Sequence, residues 1–291
     1  MKTKIASVLT FSTLLLSSSL LWISCGQTEA PKSEVKAEKA ATPSSESTSG
    51  TPVNKLTDFK FHILIANIPS PIALIDKLPV AGISYKNDLV NPTENESKYS
   101  TTFKKALNFG VYSCDLGYLS TNEQFSGIKK YFAASRNLAN SLEAGDIFKQ
   151  IVGTRLDNNM ENKDTITHVI DDAYSAMDNY LRTNEKELIA TEMITGSWIE
   201  SQYITMNVLK NIEKSDKNSM LYDKIFEARI HLQNLTKLLS EYESNAEFKP
   251  LIEKIKALEA EMTALKIGDI DRAHVEKLAP KVTEIRNMIV N

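Results

Sequence analysis

The stretch LYDKIFEARIHLQNLTKLLSEY, residues 221–242, decides the fold class. Its apolar residues Leu221, Ile225, Ala228, Leu232, Leu235, Leu239 and Tyr242 fall alternately four and three positions apart. A helix turns once in about 3.6 residues, so this spacing draws one apolar stripe along a single helix face. Phe248, Leu251, Ile255, Leu258, Met262 and Leu265 repeat the pattern, and Val275, Leu278, Val282, Ile285 and Ile289 make a third such helix. Breaks at Ser244-Asn245 and Gly268-Asp269 leave short connections, which make neighbouring helices antiparallel. Each stripe must be covered by another helix, so the C-terminal helices are expected to pack like an antiparallel coiled coil. Pro280, with no N–H, is expected to kink or interrupt the last of them.

Working towards the N-terminus, the helical period persists almost to Asp58. Phe59 to Ile65 alternates like a strand, but Asp58 can cap a short helix with the face Phe59, His62, Ile63 and Ala66. No other stretch offers a strand partner, so this too is read as helix. Ser70-Pro71 starts a helix that ends near Leu78, before Pro79 to Gly82. After a loop containing Asn91-Pro92, a long helix is expected from about Ser97 to Thr121. Its interior glycines, Gly110 and Gly117, each cost about 1 kcal/mol in helix propensity and so point to another helix passing very close. Further helices are expected from Glu123 to Leu142, after Asp146, from Asp164 to Arg182, and from a capping-box-like Asn184 and Glu187 to Ile212. No sharp repeat marks a helical array. The expectation is an all-α, multi-helix bundle over residues 57–291, with a candidate sub-boundary near residue 215.

Residues 1–25 read as an export signal. Lys2 and Lys4 precede an apolar run from Ile5 to Leu21, and the small Ser24 precedes Cys25. Leu21-Trp22-Ile23-Ser24-Cys25 resembles a bacterial lipobox, with Trp22 in place of the usual Leu. Ordinary cleavage to a soluble protein and an uncleaved span are the alternatives. The span would carry many hydroxyls, and a lone Cys before a polar tether fits lipidation of Cys25 better. Each buried acyl CH₂ contributes about 0.8 kcal/mol, so several chains on one residue anchor the protein permanently. Residues 25–56 are the lipidated Cys and a tether rich in Ser, Thr, Ala, Glu, Lys and Pro, expected to be disordered. It gives a reach on the order of 30 Å.

Composition narrows the rest. The 291 residues are 42% hydrophobic and 24% charged, ordinary for a globular protein. Loss of residues 1–24 removes Lys2 and Lys4 and takes the formal charge from −3 to −5. A mildly acidic chain without a basic stripe is a poor partner for nucleic acid, which needs clustered Lys and Arg. With Cys25 acylated, Cys114 has no partner for a disulfide and reads as a buried small hydrophobe.

Two polar constellations are candidate ligand-binding sites. Asn108, Tyr112 and Asp115 share a stripe of the long helix with Leu119, and a carboxylate in so apolar a helix must be solvated, paired or protonated. Glu192, Gly196, Glu200, Tyr203 and Asn207 share a stripe of a later helix, with Trp198 on another face. Glu192 and Glu200 lie roughly 12 Å apart along its axis. If the two helices packed together, three carboxylates and two tyrosines would line one groove able to bind a ligand or do acid–base work. The blander reading of both stripes is internal hydrogen bonding or a solvated face. Glu227 with His231, Asp271 with His274, and His168 near Asp171 and Asp172 are the nearest approaches to metal ligands. None matches a metal, phosphate-binding or nucleophile motif, so neither metal nor cofactor is expected.

Pro69-Ser70-Pro71, Ala106 to Tyr112 and Asp115 to Tyr118 resemble a group of uncharacterised helical lipoproteins of Bacteroidetes. Glu29 beside Cys25 and Asp164-Thr165-Ile166 are compatible with that address, as a surface-export acid and a short O-glycosylation motif. The resemblance implies a helical body held at the cell envelope, on the outer membrane and either periplasmic or surface-exposed, and supplies no activity. The expected function is a lipid-anchored module that binds a protein or small molecule and touches the membrane through Cys25. The alternative is a hydrolase-like or metal-dependent enzyme using Asp115, Glu192 and Glu200.

Overall fold

The structure, a computed structural model, describes residues 63–291 apart from Ala66, Asn158 and Met160. The expectations for the signal, for Cys25, for the tether and for Phe59 and His62 lie outside the described residues. The described chain runs through α1 (Ile72–Ile75), α2 (Lys77–Val80), two 3-10 turns (Asn87–Leu89 and Thr93–Lys98), α3 (Thr102–Thr121), α4 (Phe125–Ser141), α5 (Gly145–Asp157), α6 (Lys163–Thr183), α7 (Glu187–Leu209), α8 (Ser219–Ser240), α9 (Lys249–Thr263) and α10 (Arg272–Val290). No strand occurs among the described residues, and the all-α multi-helix bundle stands.

Two helices form the centre. α3 is buried at every residue from Ala106 to Thr121, and α7 from Ala190 to Leu209 except at Tyr203. A helix apolar on all sides belongs inside a protein. The two cross at glycines. A Cβ on Gly110 would meet the Met193 carbonyl oxygen at 2.0 Å, and one on Gly196 would meet the Leu107 carbonyl oxygen at 1.9 Å. Backbone therefore touches backbone, which accounts for Gly110 in an otherwise unfavourable helix interior. Gly117 instead makes room for the Ile72 side chain of α1. The other helices wrap this pair: α4, α6 and α10 pack on α3, and α6, α8 and α10 on α7.

Three of the inter-helix turns share one geometry. Glu123, Glu143 and Glu185 adopt φ of 58°, 61° and 58° immediately after α3, α4 and α6. Each is followed by a residue whose N–H closes the turn onto a carbonyl five positions back: Gln124 on Leu119, Ala144 on Ala139, and Lys186 on Leu181. Glycine usually fills this left-handed position; a residue with a Cβ there costs roughly 1 kcal/mol. Asn184 therefore ends α6, with its amide on the Tyr180 carbonyl at 2.8 Å, and does not cap α7 as its spacing to Glu187 suggests. The long helix likewise starts at the Thr101 cap, and the preceding Thr93–Lys98 forms a separate 3-10 turn. α10 runs through Pro280 uninterrupted.

Gly110→Ala and Gly196→Ala are each expected to destabilise the protein by about 3 kcal/mol or more, because the new methyl has only backbone to displace. Gly127→Ala, whose Cβ would meet Leu119 at an ordinary 3.5 Å, is expected to stabilise by up to about 1 kcal/mol. Urea unfolding of the three variants checks the contrast.

Candidate functional site

Because α3 and α7 touch, the stripes they carry meet in the core. Asp115 of α3 and Glu200 of α7 are both fully buried. Arg286 of α10 reaches Glu200, donating from Nε to Oε2 at 3.1 Å and from Nη2 to Oε1 at 3.2 Å. Its guanidinium also lies over the Tyr203 ring, 4.6 Å from the centroid. A planar, bidentate fork is the geometry that best answers a buried carboxylate.

The loop between the 3-10 turns supplies the rest. The Asn91 backbone N–H donates to Asp115 Oδ2 at 3.0 Å. Its side-chain amide donates to the Tyr99 hydroxyl at 2.9 Å. Asn108 donates to the Lys104 and Ile289 carbonyls, each at 2.9 Å, which ties α3 to the end of α10. The Tyr112 hydroxyl donates to the Pro92 carbonyl at 2.9 Å, and its ring meets Tyr131 edge to face. Each of these polar residues has a defined partner in the interior, as burial demands.

The cluster holds two carboxyls against one guanidinium, so the charge cannot balance unless one carboxyl keeps its proton. Burial, and then the Glu200 charge beside it, push the Asp115 carboxyl well above the usual carboxylate range; Arg286 and the Asn91 N–H oppose this and lose. Burial lifts Glu200 as well, but there the paired guanidinium works directly against it. Asp115 is therefore the neutral partner. Its Oδ1 finds no donor among the described residues. Once protonated, that oxygen is itself a donor, and the Glu200 carboxylate is the neighbouring acceptor.

Glu192 does not join the group. It lies two helix turns earlier on α7, buried, with Oε2 unpartnered among the described residues. Burial, and then the charge of Glu247, raise its carboxyl to about 8. Asn207 reaches Thr283 of α10 at 3.2 Å. Thus Asp115, Glu200 and Tyr203 converge on Arg286, Asn108 and Tyr112 border them, and Glu192 stands apart.

The metal-like pairs have structural work. Asp271 is the side-chain cap of α10, accepting from the His274 N–H at 3.0 Å and meeting its Nδ1 at 2.7 Å. Glu227 pairs with Lys224 at 2.6 Å. Among the described residues no three His, Cys, Asp or Glu side chains gather as a metal site. Cys114 is free and buried, and burial pushes its thiol up.

A hollow beside α7 opens on its other side. About 460 Å³ lie between the Asn67–Leu74 segment, α7 and α8, walled by Trp198, Ser201, Gln202, Ala228 and His231. Trp198 was noticeable in the sequence as a flanking aromatic, but Gln202 and His231 were not legible as its neighbours. Arg286 had a signal, standing four residues from both Val282 and Val290 on an apolar stripe. Asn91 had none for its bond to Asp115, because that bond runs through its backbone N–H. Comparison with known proteins finds no matching family model, no matching curated protein and no matching solved structure.

Arg286→Met leaves Glu200 buried without its counter-charge, and an expected loss of about 3–5 kcal/mol follows in urea unfolding. Adding Glu200→Gln removes the stranded charge and is expected to recover much of that loss. Glu192 gives a pH signature. Its folded pKa near 8 exceeds the unfolded value of 4.5, so the folded state holds a proton the unfolded chain releases. Stability is then full below about pH 4.5 and falls by up to about 1.4 kcal/mol per unit until about pH 8. Glu192→Gln is expected to match the parent at pH 5 and to be the more stable protein at pH 8.

Proposed function

We propose that the chain is a lipid-anchored cell-envelope protein whose helical body binds a ligand or protein partner without turning over a substrate. The observation that carries this reading is the closure of the carboxylate cluster. Asp115 and Glu200 are both 0% exposed, and Glu200 is held bidentately by Arg286. A general acid or base must come within about 3 Å of the proton it moves, directly or through one water. Groups sealed against solvent and committed to each other do not meet that requirement. A hydrolase-like or metal-dependent reaction built on Asp115, Glu192 and Glu200 draws no support from this arrangement. Binding draws support from the cavity beside Trp198, whose volume falls in the range of small-molecule sites.

The envelope address rests on residues 1–25: a basic start, an apolar run and a small residue before Cys25. No helix among the described residues is long and apolar enough to cross a membrane. Attachment would then run through acyl chains on Cys25, with the tether holding the body off the lipid surface. Cys25→Ala is expected to abolish labelling by a fatty-acid analogue and to release the protein from the membrane fraction. Unchanged labelling would refute the anchor.

A further inference from the structure

A second hollow, of about 450 Å³, lies between α4 and α5. Two short amphipathic faces build it. Lys129, Phe132, Ala133 and Arg136 share one face of α4, and Phe148, Val152 and Leu156 recur four apart along α5. Phe132, Phe148, Val152 and Leu156 line the hollow as its apolar floor while still 5%, 3%, 9% and 7% exposed, so part of each remains accessible. α5 kinks at Gly153, where a Cβ would meet nothing within 4 Å, so that flank stands open. The volume falls in the range of small-molecule sites.

The rim is cationic only. Lys129, Arg136 and Lys149 are exposed and line the hollow, and no carboxylate lines it. None of the three has an ion-pair partner among the described residues. α4 carries Lys129, Lys130 and Arg136 and no acidic residue along its whole length, in a chain whose formal net charge is −3. Charges elsewhere on the same hairpin are answered, Arg155 by Asp172 at 2.8 Å and Glu143 by Lys186.

The connection decides which end each cation occupies. Only residues 142–144 join α4 to α5, so the two helices run antiparallel. Arg136 stands six residues before that connection and Lys149 five after it, which puts both at one end of the hollow. Lys129 lies towards the other end, where its aliphatic stem can cover apolar surface while its ammonium stays in water.

An occupant has to answer both features. A small inorganic anion would leave the floor against water, and an uncharged hydrocarbon would leave the paired cations unanswered. A carboxylate takes two parallel bonds from a guanidinium and a further one from an ammonium. An alkyl chain behind it covers the floor. From Lys129 to Arg136 the face of α4 spans about 10 Å, the length of a medium-chain acyl tail.

We propose that this hollow binds an aliphatic monocarboxylate, of the class of medium-chain fatty acids, with its head at Arg136 and Lys149 and its tail along the floor. The proposal adds a site to the binding reading and does not depend on the cavity beside Trp198.

The full chain, in neutral phospholipid nanodiscs, is photolabelled with a medium-chain carboxylate carrying a diazirine at its tail, and the adducts are mapped by peptide mass spectrometry. Adducts are expected within residues 125–157, and decanoate is expected to displace them. Arg136→Gln with Lys149→Gln is expected to weaken that displacement about tenfold or more, the worth of lost charged hydrogen bonds. Both side chains are exposed and unpaired, so their loss leaves the fold intact. Lys130→Gln, an exposed cation outside the hollow, is the control and is expected to match the parent. Ala133→Trp fills the hollow while keeping every charge, and is expected to remove the adducts. Absence of adducts from residues 125–157 overturns the proposal, as does labelling that survives both the double variant and Ala133→Trp. Equal labelling by the same chain with a quaternary ammonium head removes the role of the cations and overturns it. Acetate displacing the label as well as decanoate reduces the hollow to an anion site and likewise overturns it. The anchor is tested separately, by the Cys25 labelling, and stands or falls whatever the hollow binds.

Discussion

The rest of the fold depends on one close approach, the contact of the α3 and α7 backbones at Gly110 and Gly196. Neither glycine leaves space for a methyl, because each faces a carbonyl oxygen of the other helix at about 2 Å from where a Cβ would stand. Contact at that distance removes the layer of side chains that normally separates two helices. It brings residues little more than one turn away from the crossing, such as Asp115 and Glu200, into the same small volume. It also leaves both helices with no solvent-facing side, so the remaining helices must form a sheath around them.

The polar cluster is a consequence of that approach. Two carboxyls forced together in the core cannot both ionise, and taking even one charge out of water is costly unless a partner is supplied with good geometry. The solution here is one guanidinium and one retained proton. Arg286 comes from the far end of the chain, and Asn91 from the loop ahead of α3, so the same bonds that neutralise the pair also dock α10 and the 91–99 segment onto the centre. The polar residues read as a site thus hold the bundle in register. Their chemistry is turned inward, with Asp115 and Glu200 both closed to solvent.

Helix α7 consequently carries two faces of different character. Glu200 and Tyr203 look towards Arg286, while Trp198 and Gln202 border a hollow. A carboxylate attracts attention in a sequence, yet the Glu200 carboxylate here is spent on holding α10 to α7.

Local periodicity by itself determined the fold class and nearly every helix, from the stripe of Leu221 to Tyr242 back to the body of α3, because apolar residues recurring each 3.6 positions have one regular solution. It also determined that something must pass close to Gly110, since a helix does not bear that glycine without a packing reason. Tertiary structure alone decided what passes there. No local rule pairs Gly110 with Gly196, sets Arg286 on Glu200, or gives Asn91 its role through a backbone N–H. Nor does any local rule let Asn184 finish one helix where its spacing suggests the start of the next. Those outcomes depend on contacts between segments tens to nearly two hundred residues apart, where the spacing of residue types along the chain carries no information about distance.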